Sequence, residues 1–205
     1  MPKKVVIASS NEAKVAQLKS FEFLKVFELL SGKDFALGEV EENENTLEGN
    51  ALIKAKTYHE HTKLPSLSDD TGLFINSLDG YPGTRCGRIA KSYGGYEEAS
   101  RAFNEKLGDS PDRGCVFACA IAFVDDGLEI VVRGEMPGTF VYPGIFGNCG
   151  TNNGYNPYFI PEGSKLTYAQ TGFAGESFPH HRLIAARKLM DRLRETSYLS
   201  SKKAL

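Results

Sequence analysis

Short apolar runs and amphipathic stretches take turns along this chain, and their spacing predicts most of its elements. Residues 4–8 (KVVIA) form a compact apolar run suited to a buried strand. Ser9, Ser10 and Asn11 then supply N-cap chemistry for a helix through EAKVAQLKSFEFL. After the acidic, loop-like EVEENENT, Thr46 caps a second helix. There Leu47, Ala51, Ala55 and Tyr58 recur at helical spacing, Lys54 and Lys56 lie off the stripe, and Pro65 closes the element. SLSDDTGLFIN has strand character on either side of its acidic pair, while YEEASRAFNEKLG predicts a third helix with Ala99, Phe103 and Leu107 inward and Gly108 as its stop. CVFACAIAFV and LEIVVRGEM flank Asp125-Asp126-Gly127 as a hairpin. Residues 137–163, dense in Gly, Pro and aromatics, lack a regular period and read as the kind of long loop that carries sites. A last helix runs through HHRLIAARKLMDRL, with Leu183, Ala186, Met190 and Leu193 as its inner face. No repeat or linker interrupts this order, so the pattern predicts a mixed α/β fold on a mixed sheet.

Composition narrows the classes. The 205 residues are 41% hydrophobic, enough for one sizeable core with room for a second, smaller lobe. A net charge of −2 leaves no basic footprint for duplex nucleic acid, so no nucleic-acid partner is expected. No apolar run approaches the roughly 20 residues that cross a bilayer, so no membrane partner is expected either. The apolar part of MPKKVVIASSN is too short for a secretory signal, which makes the cytoplasm the expected compartment. Cys86, Cys115, Cys119 and Cys149 form no C-x-x-C; they read as reduced thiols, and nothing in their spacing from His59, His61, His180 or His181 suggests zinc.

The chemistry concentrates in a few places. SDDTGL (residues 68–73) sets two carboxylates side by side in an apolar stretch, either as a polar turn or as a magnesium and water-activating site. Lys14 falls in the first turn of its helix, where a cation is disfavoured unless an anion compensates. Asn11 and Lys14 at one helix start, Glu41 and Glu42 before another, Asn50 and Lys54 on it, and Asp69 with Asp70 make up the set that phosphoryl displacement needs. In extended backbone, Asp69 and Asp70 point to opposite faces and should play different roles. A P-loop and a G-x-S-x-G elbow are absent, and GYPGTRCG is read as having the wrong spacing for a dinucleotide loop and as not opening a helix.

The ordered series S-S-N-x-x-K, T-L-x-x-N-A-x-x-K-A, D-D-T-G-L, G-x-P-G, G-Y-N-P and H-R-x-x-A, spread over about residues 4–193, resembles the inosine/xanthosine triphosphate pyrophosphatases. The resemblance implies an elongated mixed sheet with flanking helices, two lobes with the active cleft between them, and residues 1–205 as one such domain. It implies a homodimer that uses Mg²⁺ to cleave a nucleoside triphosphate substrate to monophosphate and pyrophosphate, cleansing the nucleotide pool of ITP, dITP and XTP. Carried over by position, Glu42, Asp69 and Asp70 are the metal residues and Asp70 directs the attacking water. The substrate set comprises Ser9, Asn11, Lys14, Asn50, Lys54, Thr71, Gly72, Arg88, Gly154, Tyr155, Asn156, His181 and Arg182, with Asn11, Lys14 and Lys54 on the phosphates.

Departures fall on the base side. The family's F-G-Y-D-P is Asn153-Gly154-Tyr155-Asn156-Pro157 here, its base-contacting lysine is Glu176, and the serine of its S-H-R is His180. The serine and alanine before Arg88 are Cys86 and Gly87. Loss of a stacking ring costs roughly 1–3 kcal/mol of base affinity; Tyr155, Phe146 and Phe173 are the candidate substitutes. Two alternatives follow: the same hydrolase with a shifted base preference, or a nucleotide binder without turnover. His181 and Arg182 have a surface-helix alternative, and His59 and His61 are expected on a helix surface.

Overall fold

The computed structural model describes residues 2–38, 40–147, 154–171 and 180–199. Its elements follow the order β1 (Lys3–Ile7), α1 (Glu12–Ser20), β2 (Phe27–Ser31), α2 (Leu47–Thr62), β3 (Ser66–Ile75), β4 (Pro82–Gly83), α3 (Cys86–Tyr93), α4 (Tyr96–Leu107), β5 (Gly114–Asp125), β6 (Leu128–Phe140), β7 (Phe159–Pro161), α5 (Tyr168–Thr171) and α6 (His181–Glu195). The fold is mixed α/β. Strands pair in the order β2-β1-β3-β5-β6-β7, with β4 on β3. β1 runs parallel to both β2 and β3, whereas β4 and β7 pair antiparallel with β3 and β6. Asp126 and Gly127 alone separate β5 from β6, and Gly127 takes φ +71°, as a tight hairpin turn requires.

The chain divides into two compact units: residues 1–70, 119–134 and 182–205, and residues 71–118 and 135–181. In the first, β1 is buried on both faces. Val5 and Ile7 join Val15 and Leu18 of α1 and Ala185, Ala186, Leu189, Met190 and Leu193 of α6, while Val6 and Ala8 pack with Tyr58 of α2. Parallel strands covered on both sides read as continuous apolar runs, which is why KVVIA carries no alternation. The second unit packs α3 and α4 around Phe103, whose ring meets Tyr81, Tyr93, Phe140 and Tyr155.

Several expectations change. α1 stops at Ser20; a 3₁₀ turn (Glu22–Val26) takes up the end of the helical-looking run, and an unexpected strand, β2, follows it. The acidic pair forms no turn, because β3 continues through it. GYPGTRCG does open a helix, α3, so only its spacing argues against a dinucleotide loop. Within the long loop, the described part includes the last residues of β6, the turn Asn156–Tyr158 and β7. Cys86, Cys115 and Cys119 are free thiols; Cys149, Asn153, Phe173 and Glu176 lie outside the described residues.

Candidate active site

Strand alternation organises the site in the first unit. Leu67 and Asp69 face α1 and α6; Ser68 and Asp70 face α2, where the Ser68 hydroxyl donates to the Ala51 carbonyl. The adjacent carboxylates therefore serve opposite faces, as their placement in extended backbone predicts. Asp69 is fully buried, and its Oδ2 meets Lys14 Nζ at 3.3 Å and the Arg182 Nε and Nη2 at 3.0 Å each. Arg182 also donates to Gln17 Oε1. Burial alone would raise the Asp69 carboxyl; Lys14, Arg182 and Lys54 overcome it and hold the group far below the usual carboxylate range. Its Oδ1 has no protein partner among the described residues.

On the other face, Lys54 Nζ lies 2.5 Å from Glu42 Oε1, 2.7 Å from the Asp69 carbonyl oxygen and 3.9 Å from Asp70 Oδ1. Asn50 Nδ2 donates to Asp70 Oδ2 at 3.1 Å. Burial pushes the Asp70 carboxyl up, Lys54 and Lys14 oppose this, and Glu42 adds to it. A cavity of about 410 Å³ opens beside the group, lined by Ser9, Asn11, Lys14, Glu42 and Lys54 with Leu37, Val40 and Tyr58. Asn11 is the α1 N-cap: its Oδ1 accepts from the Ala13 and Lys14 amides. An anion at this helix start thus meets side chains rather than those two amides, and the internal anion compensating Lys14 is Asp69.

Hard oxygen donors without sulfur or imidazole suit Mg²⁺, which takes one or two carboxylates and keeps waters. Glu42 and Asp70 fit, since both approach one ammonium at the cavity. Asp69 points to the other face, with its Oδ2 committed to cations. Among the described residues, His59, Asp125 and Asp126 form a three-residue group with ligand atoms within 4.8 Å of one another. His59 is half-buried rather than on the helix surface, with Nδ1 on the Leu64 carbonyl at 2.8 Å.

The chain matches the Ham1 family over residues 5–192. It is 36% identical over 193 residues to a Caulobacter vibrioides protein named dITP/XTP pyrophosphatase, covering 92% of this chain and 97% of that one. A Mycobacterium tuberculosis protein of the same name is 37% identical over 197 residues, covering 93% and 95%. The chain belongs to the Ham1 family. The Staphylococcus aureus Ham1 protein shares the fold with a TM-score of 0.82 at 26% identity, over 95% of this chain and all of that one.

For this Ham1 chain, the structure brings Ser9, Asn11, Lys14, Glu42, Asn50, Lys54, Asp69, Asp70 and Arg182 together within the first unit. The remaining candidates belong to the second. Thr71 and Gly72 continue β3, and a Cβ at Gly72 would sit 2.7 Å from the Gly83 carbonyl oxygen, so the close approach of β4 demands glycine. Arg88 is on α3, and Gly154 takes φ +58°. Tyr155 is 1% exposed, packed against Tyr96 and Phe103, and its hydroxyl donates to the Cys86 carbonyl at 3.2 Å. Asn156 is buried, and His181 stacks on Phe117 at 4.2 Å with His180 beside it at 3.8 Å. His181 and Arg182 are therefore buried rather than on a surface helix. Sequence reasoning missed Gln17 as the Arg182 acceptor; its polar amide on the inward side of α1 beside Leu18 is the signal that marks it.

Proposed function

We propose that this chain is a magnesium-dependent hydrolase of non-standard purine nucleoside triphosphates (ITP, dITP and XTP), releasing the monophosphate and pyrophosphate, with residues 1–205 acting as one domain. The observation that carries the reading is the cavity lined by Lys14, Lys54 and Glu42, with Lys54 paired to Glu42 and 3.9 Å from Asp70, in a family whose relatives bear the name dITP/XTP pyrophosphatase. Lys14 and Lys54 bind phosphate oxygens once these replace their internal carboxylate partners. Glu42 and Asp70 would hold the metal, which when bound neutralises polyphosphate charge and polarises the phosphoryl group. Asp70, its carboxyl raised by burial, is suited to accept a proton from the water that attacks the α-phosphorus as pyrophosphate leaves.

The test is pyrophosphate release from ITP, dITP, XTP, GTP and ATP, with Mg²⁺ and with a chelator. The expected result is turnover of the first three, far above the last two, that the chelator abolishes. The alternative of a shifted base preference draws support from Asn156 and His180, which replace the family's aspartate and serine; comparable rates on GTP or another base would favour it. Triphosphate binding without product over hours would instead favour a nucleotide binder. The homodimer and the cytoplasmic location belong to the same reading, and light scattering checks the former.

A further inference from the structure

Asn50 sits fully buried in the first turns of α2 with both ends of its amide engaged. Its Oδ1 accepts from the Glu44 N–H at 3.0 Å, and its Nδ2 donates to Asp70 Oδ2 at 3.1 Å. A backbone N–H can only donate and an ionised carboxylate can only accept, so these partners fix which way round the amide lies. The preceding segment is clasped by the same turn: the Asn50 N–H donates to the Thr46 carbonyl, and Thr46 Oγ1 accepts from the Gly49 N–H. A Cβ at Gly49 would come within 2.8 Å of the Glu44 side chain, so the approach requires glycine there. Two residues before Glu44 is Glu42, which lines the cavity.

We propose that Asn50 is a positioning residue that orients the Asp70 carboxyl and clasps the segment delivering Glu42, instead of the substrate contact that the resemblance implies. This rests on the hydrolase reading above. One neutral side chain links the water-activating carboxylate to the backbone beside the second carboxylate, so neither moves without the other. A shift of about 1 Å in such a group costs on the order of 100-fold in rate.

Asn50→Leu keeps the bulk and removes both bonds. Asn50→Asp keeps an acceptor for Glu44 and removes the donor to Asp70. The measurements are kcat and KM for ITP at saturating Mg²⁺ and hydrogen exchange at the Glu44 amide without nucleotide. Both variants are expected to lower kcat about 10–100-fold, as loss of a group that orients a metal ligand does. KM should stay within about threefold, because uniform substrate binding is untouched. Glu44 exchange should accelerate in Asn50→Leu and stay slow in Asn50→Asp. Unchanged kcat, a KM rise matching the lost activity, or unchanged Glu44 exchange in Asn50→Leu would overturn the proposal. If Asn50→Leu fails to fold, the kcat and KM of Asn50→Asp decide. Failure of the hydrolase reading shows elsewhere, in wild-type protein that releases no pyrophosphate from any triphosphate.

Discussion

In the first unit, the charged candidates Lys14, Glu42, Lys54, Asp69, Asp70 and Arg182 form ion pairs across 2.5 to 3.9 Å, and Lys14, Glu42 and Lys54 border a cavity. In the second, those assigned to the base side are largely embedded among rings: Tyr155 among Phe103 and Tyr96, His181 on Phe117. A charge in the first set can be neutralised without emptying the core, whereas trimming a ring in the second removes packing first. Loss of activity should therefore come without loss of stability at Asp70, whereas Asp69, which pairs two cations, makes a stability exception within the first unit, and changes in the second unit should act on packing first.

The largest expected effect is on Asp70→Asn, with kcat lower by about 10²–10⁴-fold, the usual worth of general-base catalysis. Stability should move the other way. A carboxyl raised on folding contributes stability below its unfolded value and loses it as pH rises through the folded one. At neutral pH the amide escapes that penalty, so thermal melting should match or exceed wild type. A lowered melting point would erase the distinction between catalytic and packing residues in this unit.

Asp69→Asn should show the reverse. Its carboxyl is held low by Lys14 and Arg182 against burial, so its contribution is full above the ordinary carboxylate range and lost as pH falls towards the depressed value. Removing it takes the carboxylate from the buried Arg182, which keeps Gln17, and from Lys14 at the cavity, and costs about 3–5 kcal/mol in denaturant unfolding at neutral pH. Below about pH 4 the variant should lose the acid-dependent part of the wild-type curve. An equal stability loss for Asp69→Asn and Asp70→Asn would break the assignment of opposite faces to opposite roles.

Much of this was legible in the sequence because it is local. Asn11 and Thr46 cap their helices, period-2 alternation separates Asp69 from Asp70, and Asp126-Gly127 turns the hairpin. β2 was not legible, since Phe27–Ser31 follows closely on a helical-looking run without a period of its own, and only pairing with β1 makes the segment extended. α3 is short, has no side-chain cap and begins amid glycines. The Asp69–Arg182 and Gln17–Arg182 contacts join positions 113 and 165 residues apart, beyond any spacing rule. On the base side, ring packing leaves no periodic trace within residues 137–163.

Tyr155→Phe gives the smallest effect and the sharpest check on the second unit. It deletes one hydroxyl that donates to the Cys86 carbonyl at 3.2 Å and keeps the ring among Phe103 and Tyr96. A net loss of about 0.5–1.5 kcal/mol is expected, the ordinary worth of such a bond. Because the ring stays in place, kcat and the ITP-to-GTP preference should not change. Should that preference shift while unfolding stays the same, the hydroxyl reads the base directly. The second unit would then carry its specificity in polar contacts, as the first carries its chemistry.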